Sequence, residues 1–247
     1  MRATTVAGVL AALVVACGGR VETRTVTVTK PSATAVPARP ITTPTTATRV
    51  SGSTIIAVER SVLPASCKDQ IPNTNGGMIF GGTGFVTSTG VITASHPVAN
   101  CAAGAIISFG EPSGTVEVTD TTHDLALVSF QSTESHPPAL QLEPASPYVG
   151  EPLALIGVPG TAGAVGEGTF RVARGRVIAI DQITRLTSAE GLRETLSDAI
   201  LVSVSRVVAG ESGGPAIDAA GKVVGVIEGY GKGVAILTPV SDVSGLG

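Results

Sequence analysis

The sequence predicts an all-β protein behind an unstructured N-terminal stretch, on three observations. The first is composition. Of 247 residues only 14 % are charged and 3 % aromatic, with 31 glycines and 16 prolines, a balance that suits a Val/Ile/Ala-packed, turn-rich domain better than a helical one. The second is a change of texture near Ser53, from Thr/Ala/Pro-rich sequence to short β-type runs broken by glycine and proline. The third is the number of those runs, since many short strands with regular turn signals indicate a barrel or a sandwich.

The N-terminus reads as a targeting segment. Arg2 precedes an apolar stretch from Val6 to Ala16, too short for a membrane span, which takes roughly 20 residues. It ends in Leu13-Val14-Val15-Ala16-Cys17-Gly18, which resembles a bacterial lipobox, where small residues precede a cysteine that becomes the lipidated mature N-terminus. Residues 1–16 are therefore expected to be a lipoprotein signal peptide and Cys17 the lipidated residue. The protein would then be exported and held on the extracellular or periplasmic face of a bacterial cell membrane. Several acyl chains give a stable hold where one alone is weak. The competing reading is an ordinary secretory signal with a chance cysteine. Residues 17–52, with Thr25-Val26-Thr27-Val28-Thr29 and Pro37-Ala38-Arg39-Pro40, lack the large apolar groups that offset chain entropy and read as a disordered tether.

From Ser53 onward the strand candidates follow one another. They are Gly84–Thr87, Val91–Ala94, Ala105–Phe109, Leu125–Phe130, Pro152–Gly157, Arg176–Ile180, Ile200–Val204, Lys222–Ile227 and Gly233–Leu237. Thr187–Asp198 is the one stretch that reads as a short helix or an excursion, and Ser132–Pro147 as the connection between two halves, 53–140 and 146–247.

Charge and cysteines bound the function. A net charge of −3 with no long basic run argues against nucleic acid as a partner. With Cys17 set aside, Cys67 and Cys101 remain in an exported, oxidising setting and are expected to form a disulfide; the alternative is two separate buried thiols. Cysteines so far apart supply no zinc knuckle, and neither a metal nor an organic cofactor is expected.

The chemistry concentrates in Gly210-Glu211-Ser212-Gly213-Gly214-Pro215. A serine in a glycine-dense turn suits a nucleophile beside backbone N–H groups that stabilise an oxyanion. The run also satisfies the G-x-S-x-G elbow of α/β-hydrolases, but those place histidine last, and here His96, His123 and His136 all precede Ser212. The order His, Asp, Ser is that of the double-barrel proteases.

The chain from Ser53 onward resembles the trypsin-like serine proteases, in their bacterial Deg-type form without a PDZ domain. The likeness rests on four segments: Gly82–Val86 followed by Gly90–His96; His123-Asp124-Leu125-Ala126-Leu127-Val128; Gly150–Gly160; and Gly210–Pro215 with Gly225-Val226 and Val234–Ile236 beyond it. The resemblance implies a chymotrypsin-like pair of six-stranded antiparallel barrels and a serine endopeptidase acting on protein or peptide substrates. It implies His96 as general base, Asp124 as the group that orients it, Ser212 as nucleophile, and the amides of Gly210 and Ser212 as the oxyanion hole. Asp120 competes with Asp124, while strand alternation turns the adjacent His123 to the surface. The segments that wall the substrate pocket in the family are here Arg206–Ala209 and Glu228-Gly229-Tyr230. Arg206 either lines the pocket and favours acidic side chains or faces solvent, and Glu228 or Tyr230 would narrow the entrance.

Three departures qualify the likeness. Pro97 follows the histidine and is read as the first residue of a helix. Glu211 stands where Asp or Asn is usual, in a chain with no evident activation site, which implies an enzyme made without that step. Cys67 lies further upstream than the usual partner of a cysteine placed like Cys101. The rival class is a cell-surface binding protein on an inactive protease scaffold. Oligomeric state is left open by the sequence.

Overall fold

The computed structural model describes residues 9–15, 21–27, 49–67, 81–98, 101, 106–108, 113–130, 137–160, 170–187 and 193–246. Twelve strands close into two antiparallel barrels of six. The first contains β3 (Val62–Cys67), β4 (Gly82–Val86), β5 (Val91–Ala94), β6 (Ile106–Ser108), β7 (Ser113–Asp120) and β8 (Leu125–Phe130), in the order β3-β4-β5-β8-β7-β6. The second contains β9 (Pro152–Gly157), β10 (Arg171–Thr187), β11 (Arg193–Val204), β12 (Pro215–Ile217), β13 (Val223–Gly231) and β14 (Val234–Pro239), in the order β10-β11-β14-β13-β12-β9. A 3-10 segment, Val240–Leu246, follows. This is the double barrel that the resemblance implies.

The strands nearest the barrel junction are buried on both faces, and alternation explains why. In β4 and β5, Val86 and Val91 point into the first barrel's own core. Phe85 and Ile92, one residue out of phase, join a cluster shared with Ala154 and Ile156 of β9, Ile217 of β12 and Val226 of β13. The same split divides β9, where Leu153 and Leu155 fill the second barrel. Successive side chains alternate across a strand, so a strand wedged between two apolar layers reads as a continuous hydrophobic run. The shared cluster fuses the barrels and fixes the cleft between them.

Four sequence expectations need correction or extension. A short helix, α1 (Gly52–Glu59), opens the folded region where only strands were expected. Ser51 caps it, its Oγ accepting from the Thr54 amide at 3.0 Å, and Ile55 and Val58, three residues apart on one face, enter the shared cluster. The signal in Ser51-x-x-Thr54 is a helix start outweighed by β-rich surroundings. Thr187–Asp198 is not helical in its described part: β10 runs to Thr187 and β11 starts at Arg193, extending one long ribbon whose register shifts between Val177 and Thr184. Pro97 sits in a turn, with the Val98 amide donating to the Ser95 carbonyl at 3.0 Å, rather than at the start of a helix. Finally, β1 (Val9–Val15) and β2 (Val21–Thr27) pair as an antiparallel ribbon, two strands that the sequence reading did not include.

Cys67 and Cys101 form a disulfide with Cα atoms 5.6 Å apart. It staples β3 to the chain just after His96. Among the described residues, no helix is long and apolar enough to cross a membrane.

Candidate active site

His96 follows β5 after one residue, Ser95, and Asp124 immediately precedes β8, the strand paired with β5. That pairing brings together two side chains 28 residues apart. His96 Nδ1 lies 2.6 Å from Asp124 Oδ2. Asp124 Oδ1 accepts from the His96 amide at 2.8 Å and from Ser95 Oγ at 2.7 Å, and the Asp124 carbonyl accepts from the Ser95 amide at 2.8 Å. Asp124 adopts φ +55°, a left-handed conformation that Asp tolerates better than most residues.

Asp124 is 1 % exposed, whereas the His96 ring keeps 34 % of its surface open to the cleft. Burial alone would raise the Asp124 carboxyl. The charge on His96 and hydrogen bonds from His96, Glu228 and Ser95 outweigh burial and hold it at about 2. Asp124 is thus an anion throughout the neutral range, and its Nδ1 contact fixes which ring nitrogen of His96 faces the cleft.

Ser212 reaches the same place from the second barrel. Its amide carbonyl accepts from Thr83 at 2.7 Å, and a side chain at Gly82 would strike both the Ser212 carbonyl, at 2.7 Å, and the Pro97 ring, at 2.9 Å. Gly82 is therefore the close-approach point between the serine loop and the histidine turn. Thr83, fully buried, is a residue that sequence reasoning missed. Its Oγ1 donates to the Gly210 carbonyl at 2.7 Å and accepts from the Val158 amide at 2.8 Å, which locks the serine loop to the first barrel. Nothing in its type distinguishes it from the many threonines here; only the pairing partners do.

Gly210 adopts φ +91°, and a Cβ there would lie 2.0 Å from the Gly160 nitrogen, so no other residue fits. The amides of Glu211, Gly213 and Gly214 donate to the carbonyls of Val208, Ile227 and Glu211. Among the described residues the Gly210 and Ser212 amides have no internal acceptor, which leaves both donors available to a ligand.

Glu211 is buried beneath this turn. One carboxyl oxygen accepts from the Val208 amide at 2.9 Å and the other lies 3.2 Å from Arg171 Nε. Burial raises its pKa, against the opposing pull of the Val208 amide and of the Arg171 and Arg206 charges. Arg171 also donates to the Arg206 carbonyl, through Nη1 at 3.1 Å and Nη2 at 2.5 Å, tying down both ends of the loop before the serine.

The residues expected to wall a pocket divide. Tyr230 is half-buried and donates from its hydroxyl to the Ser205 carbonyl at 3.1 Å, bracing the loop, with Gly229 beside it. Arg206 is exposed, and its carbonyl accepts from Arg171. Glu228 corrects the expectation most: its side chain is 1 % exposed and turns inward, so that one of its carboxyl oxygens, one of Asp124 and a ring nitrogen of His96 all lie within 4.8 Å of one another. Its carbonyl accepts from Ser212 Oγ at 3.4 Å. His123 is only partly at the surface, its ring bound to Asp120 at 2.6 Å. Asp120, the competitor for His96, is thereby committed elsewhere. Cys17 lies outside the described residues.

Comparison with known proteins agrees with this geometry. The model of the trypsin-like peptidase domain matches residues 82–226, more than half of the chain. Among solved structures, the active form of the Rv3671c protease from M. tuberculosis is similar with a TM-score of 0.63 and 23 % identity, over 81 % of this chain and 86 % of that one. Its inactive form gives 0.57 and 24 %, over 78 % and 90 %. A Ser343Ala mutant in the inactive form gives 0.58 and 24 %, over 80 % and 89 %. At these identities the structural likeness is one of fold. No curated protein matches the chain. With the family match added to the closed pair of barrels, the chain belongs to the trypsin-like peptidase family and is a serine endopeptidase.

Proposed function

We propose that this endopeptidase cleaves protein or peptide substrates with Ser212 as nucleophile, His96 as general base and Asp124 as the anion that orients and stabilises the imidazole. The observation that carries the reading is the buried Asp124 anion fixed 2.6 Å from His96 Nδ1, with the Ser212 loop packed against the same turn. The Ser212 hydroxyl gives up its long bond to the Glu228 carbonyl and transfers its proton to His96 Nε2 as Oγ attacks the scissile carbonyl. His96 returns that proton to the leaving amine, and a water activated the same way hydrolyses the ester. The developing oxyanion is received by the Gly210 and Ser212 amides; one such donor typically contributes about 3–4 kcal/mol to the transition state. Gly229 and Tyr230 flank the substrate, Arg206 on the loop before Ser212 stays a candidate for the pocket wall, and the enclosed Glu228 side chain is turned away from it.

Export and lipid attachment at Cys17 belong to the same proposal, on the lipobox-like sequence alone. Cys17→Ser should release the protein from the membrane fraction, and unchanged retention would remove the anchor. For the chemistry, a peptide library incubated with full-length protein should be cleaved by wild type and left intact by Ser212→Ala. A well-folded wild type that cleaves nothing but still binds peptides would favour the binding-scaffold reading.

A further inference from the structure

The second carboxyl group at the catalytic dyad has no place in the mechanism above. Glu228 sits in β13 with its side chain enclosed, and among the described residues the titratable groups clustered with it are Asp124, from the turn before β8, and His96, from the turn after β5. Two carboxyl groups this close in a buried site cannot both ionise cheaply, since like charges in a low-dielectric setting push one of the two to keep its proton. Asp124 is the one arranged to be the anion. It accepts from Ser95 Oγ, from the His96 amide and from the His96 ring. One Glu228 carboxyl oxygen lies within 4.8 Å of one of Asp124, so the two carboxyl groups are direct neighbours. An ionised carboxylate is acceptor-only, whereas a protonated one carries an O–H donor, so a hydrogen bond between the two requires a proton, and Glu228 is the group left to carry it.

We propose that Glu228 is a neutral carboxylic acid at working pH and acts as a positioning residue, donating its O–H to the Asp124 carboxylate and holding it square to His96. The neutral acid solvates the buried anion without adding charge beside the imidazole. An ionised Glu228 would instead make His96 more basic and trap it as imidazolium, unable to take the Ser212 proton. The backbone of the same residue receives the resting Ser212 hydroxyl, so one position of β13 touches the orienting acid through its side chain and the nucleophile through its carbonyl. The Ser212-Gly213 segment is in turn tied to this strand by the Gly213 amide, which donates to the Ile227 carbonyl at 2.7 Å.

This inference rests on the triad reading, and the test separates the two. Wild type is first treated with a fluorophosphonate, and loss of Ser212 labelling would defeat the triad reading itself. With labelling secured, kcat/KM is measured against pH for wild type, Glu228→Gln and Glu228→Leu in the full chain. Gln is a neutral isostere that still donates. It should fold, retain kcat/KM to within a few-fold, and leave the acid limb, which reports His96, at the same pH. Leu removes the donor and should lower kcat by roughly 10–100-fold with little change in KM, the scale of a hydrogen bond to a charged group. If Glu228 is ionised, replacing it with Gln withdraws a negative charge, and the acid limb moves to lower pH by about one unit or more; that shift would overturn the proposal. So would equal losses in Gln and Leu, or a Gln variant that fails to fold, because a neutral isostere should be tolerated where the native group is neutral. The thermal midpoint across the neutral range gives a second measurement. A buried carboxylic acid predicts a stability contribution that falls as pH rises above the unfolded carboxyl range, so the wild-type minus Glu228→Gln difference in midpoint should fall as pH rises. Parallel curves would contradict it.

Discussion

Two histidine–aspartate pairs lie within a few residues of each other in this chain, and their bonds have the same length. His96 meets Asp124 at 2.6 Å, and His123 meets Asp120 at 2.6 Å. The first joins residues 28 apart through strand pairing, and its carboxylate is 1 % exposed; the second spans a single turn, with side chains 28 % and 29 % exposed. Around Asp124, donors from Ser95 and the His96 backbone complete the carboxylate. Asp120 accepts the Thr122 and His123 amides at 2.8 and 3.3 Å, the local pattern of an Asx turn. An imidazole–carboxylate bond is therefore not what makes a catalytic site. What sets the proposed catalytic pair apart is depth, long-range origin and the Ser212 loop packed on the same turn.

The largest expected contrast is kinetic. Asp124→Asn should lower kcat by about 10⁴-fold, because the wrong ring nitrogen then faces Ser212. Asp120→Asn should leave kcat/KM within a few-fold, and a comparable loss in both would erase the distinction between the pairs. Next comes the covalent staple, which secures the His96 turn alone. Reduction of Cys67–Cys101 should cost about 3–4 kcal/mol of stability in chemical denaturation by loop entropy, and a midpoint unmoved by reductant would count against it.

Acid stability sharpens the comparison further. Asp124 is depressed from 3.8 to about 2, so its contribution is present above the unfolded value and lost as pH falls through the folded one. Wild type should lose about 2 kcal/mol between roughly pH 4 and 2 that Asp124→Asn does not lose. The smallest effect belongs to the outer pair. The Asp120 hydrogen bond raises His123, against burial and with help from the charges on Asp242, Asp120 and Asp198. That stabilisation is complete below the ordinary histidine value and disappears as pH rises through the raised one. The wild-type minus His123→Gln difference in thermal midpoint should therefore shrink above neutrality, and by an amount worth no more than about 1 kcal/mol.

The site was more legible than its supports. His96, Asp124 and Ser212 stand out because each is embedded in strand or glycine context that is local in sequence. Gly210 reveals itself by a backbone conformation that only glycine adopts freely. Thr83 does not, because its role consists of hydrogen bonds to Gly210, Val158 and Ser212, 75 or more residues away. The inward turn of Glu228 was hidden for a related reason: β13 shifts register between Ile227 and Gly229, at the residue itself. Alternation read from sequence fails at such a shift. The helix α1 was hidden by its Ile and Val content, which reads as strand until Ser51 is recognised as a cap.

Covalent labelling shows whether the buried His96–Asp124 pair serves Ser212. Full-length protein is treated with a fluorophosphonate and the modified peptide mapped by mass spectrometry. Labelling confined to Ser212, fast in wild type and in Asp120→Asn but slowed by orders of magnitude in His96→Ala and Asp124→Asn, is the predicted result. Folded wild type left unlabelled at Ser212, or labelling as fast without His96 as with it, would contradict the claim.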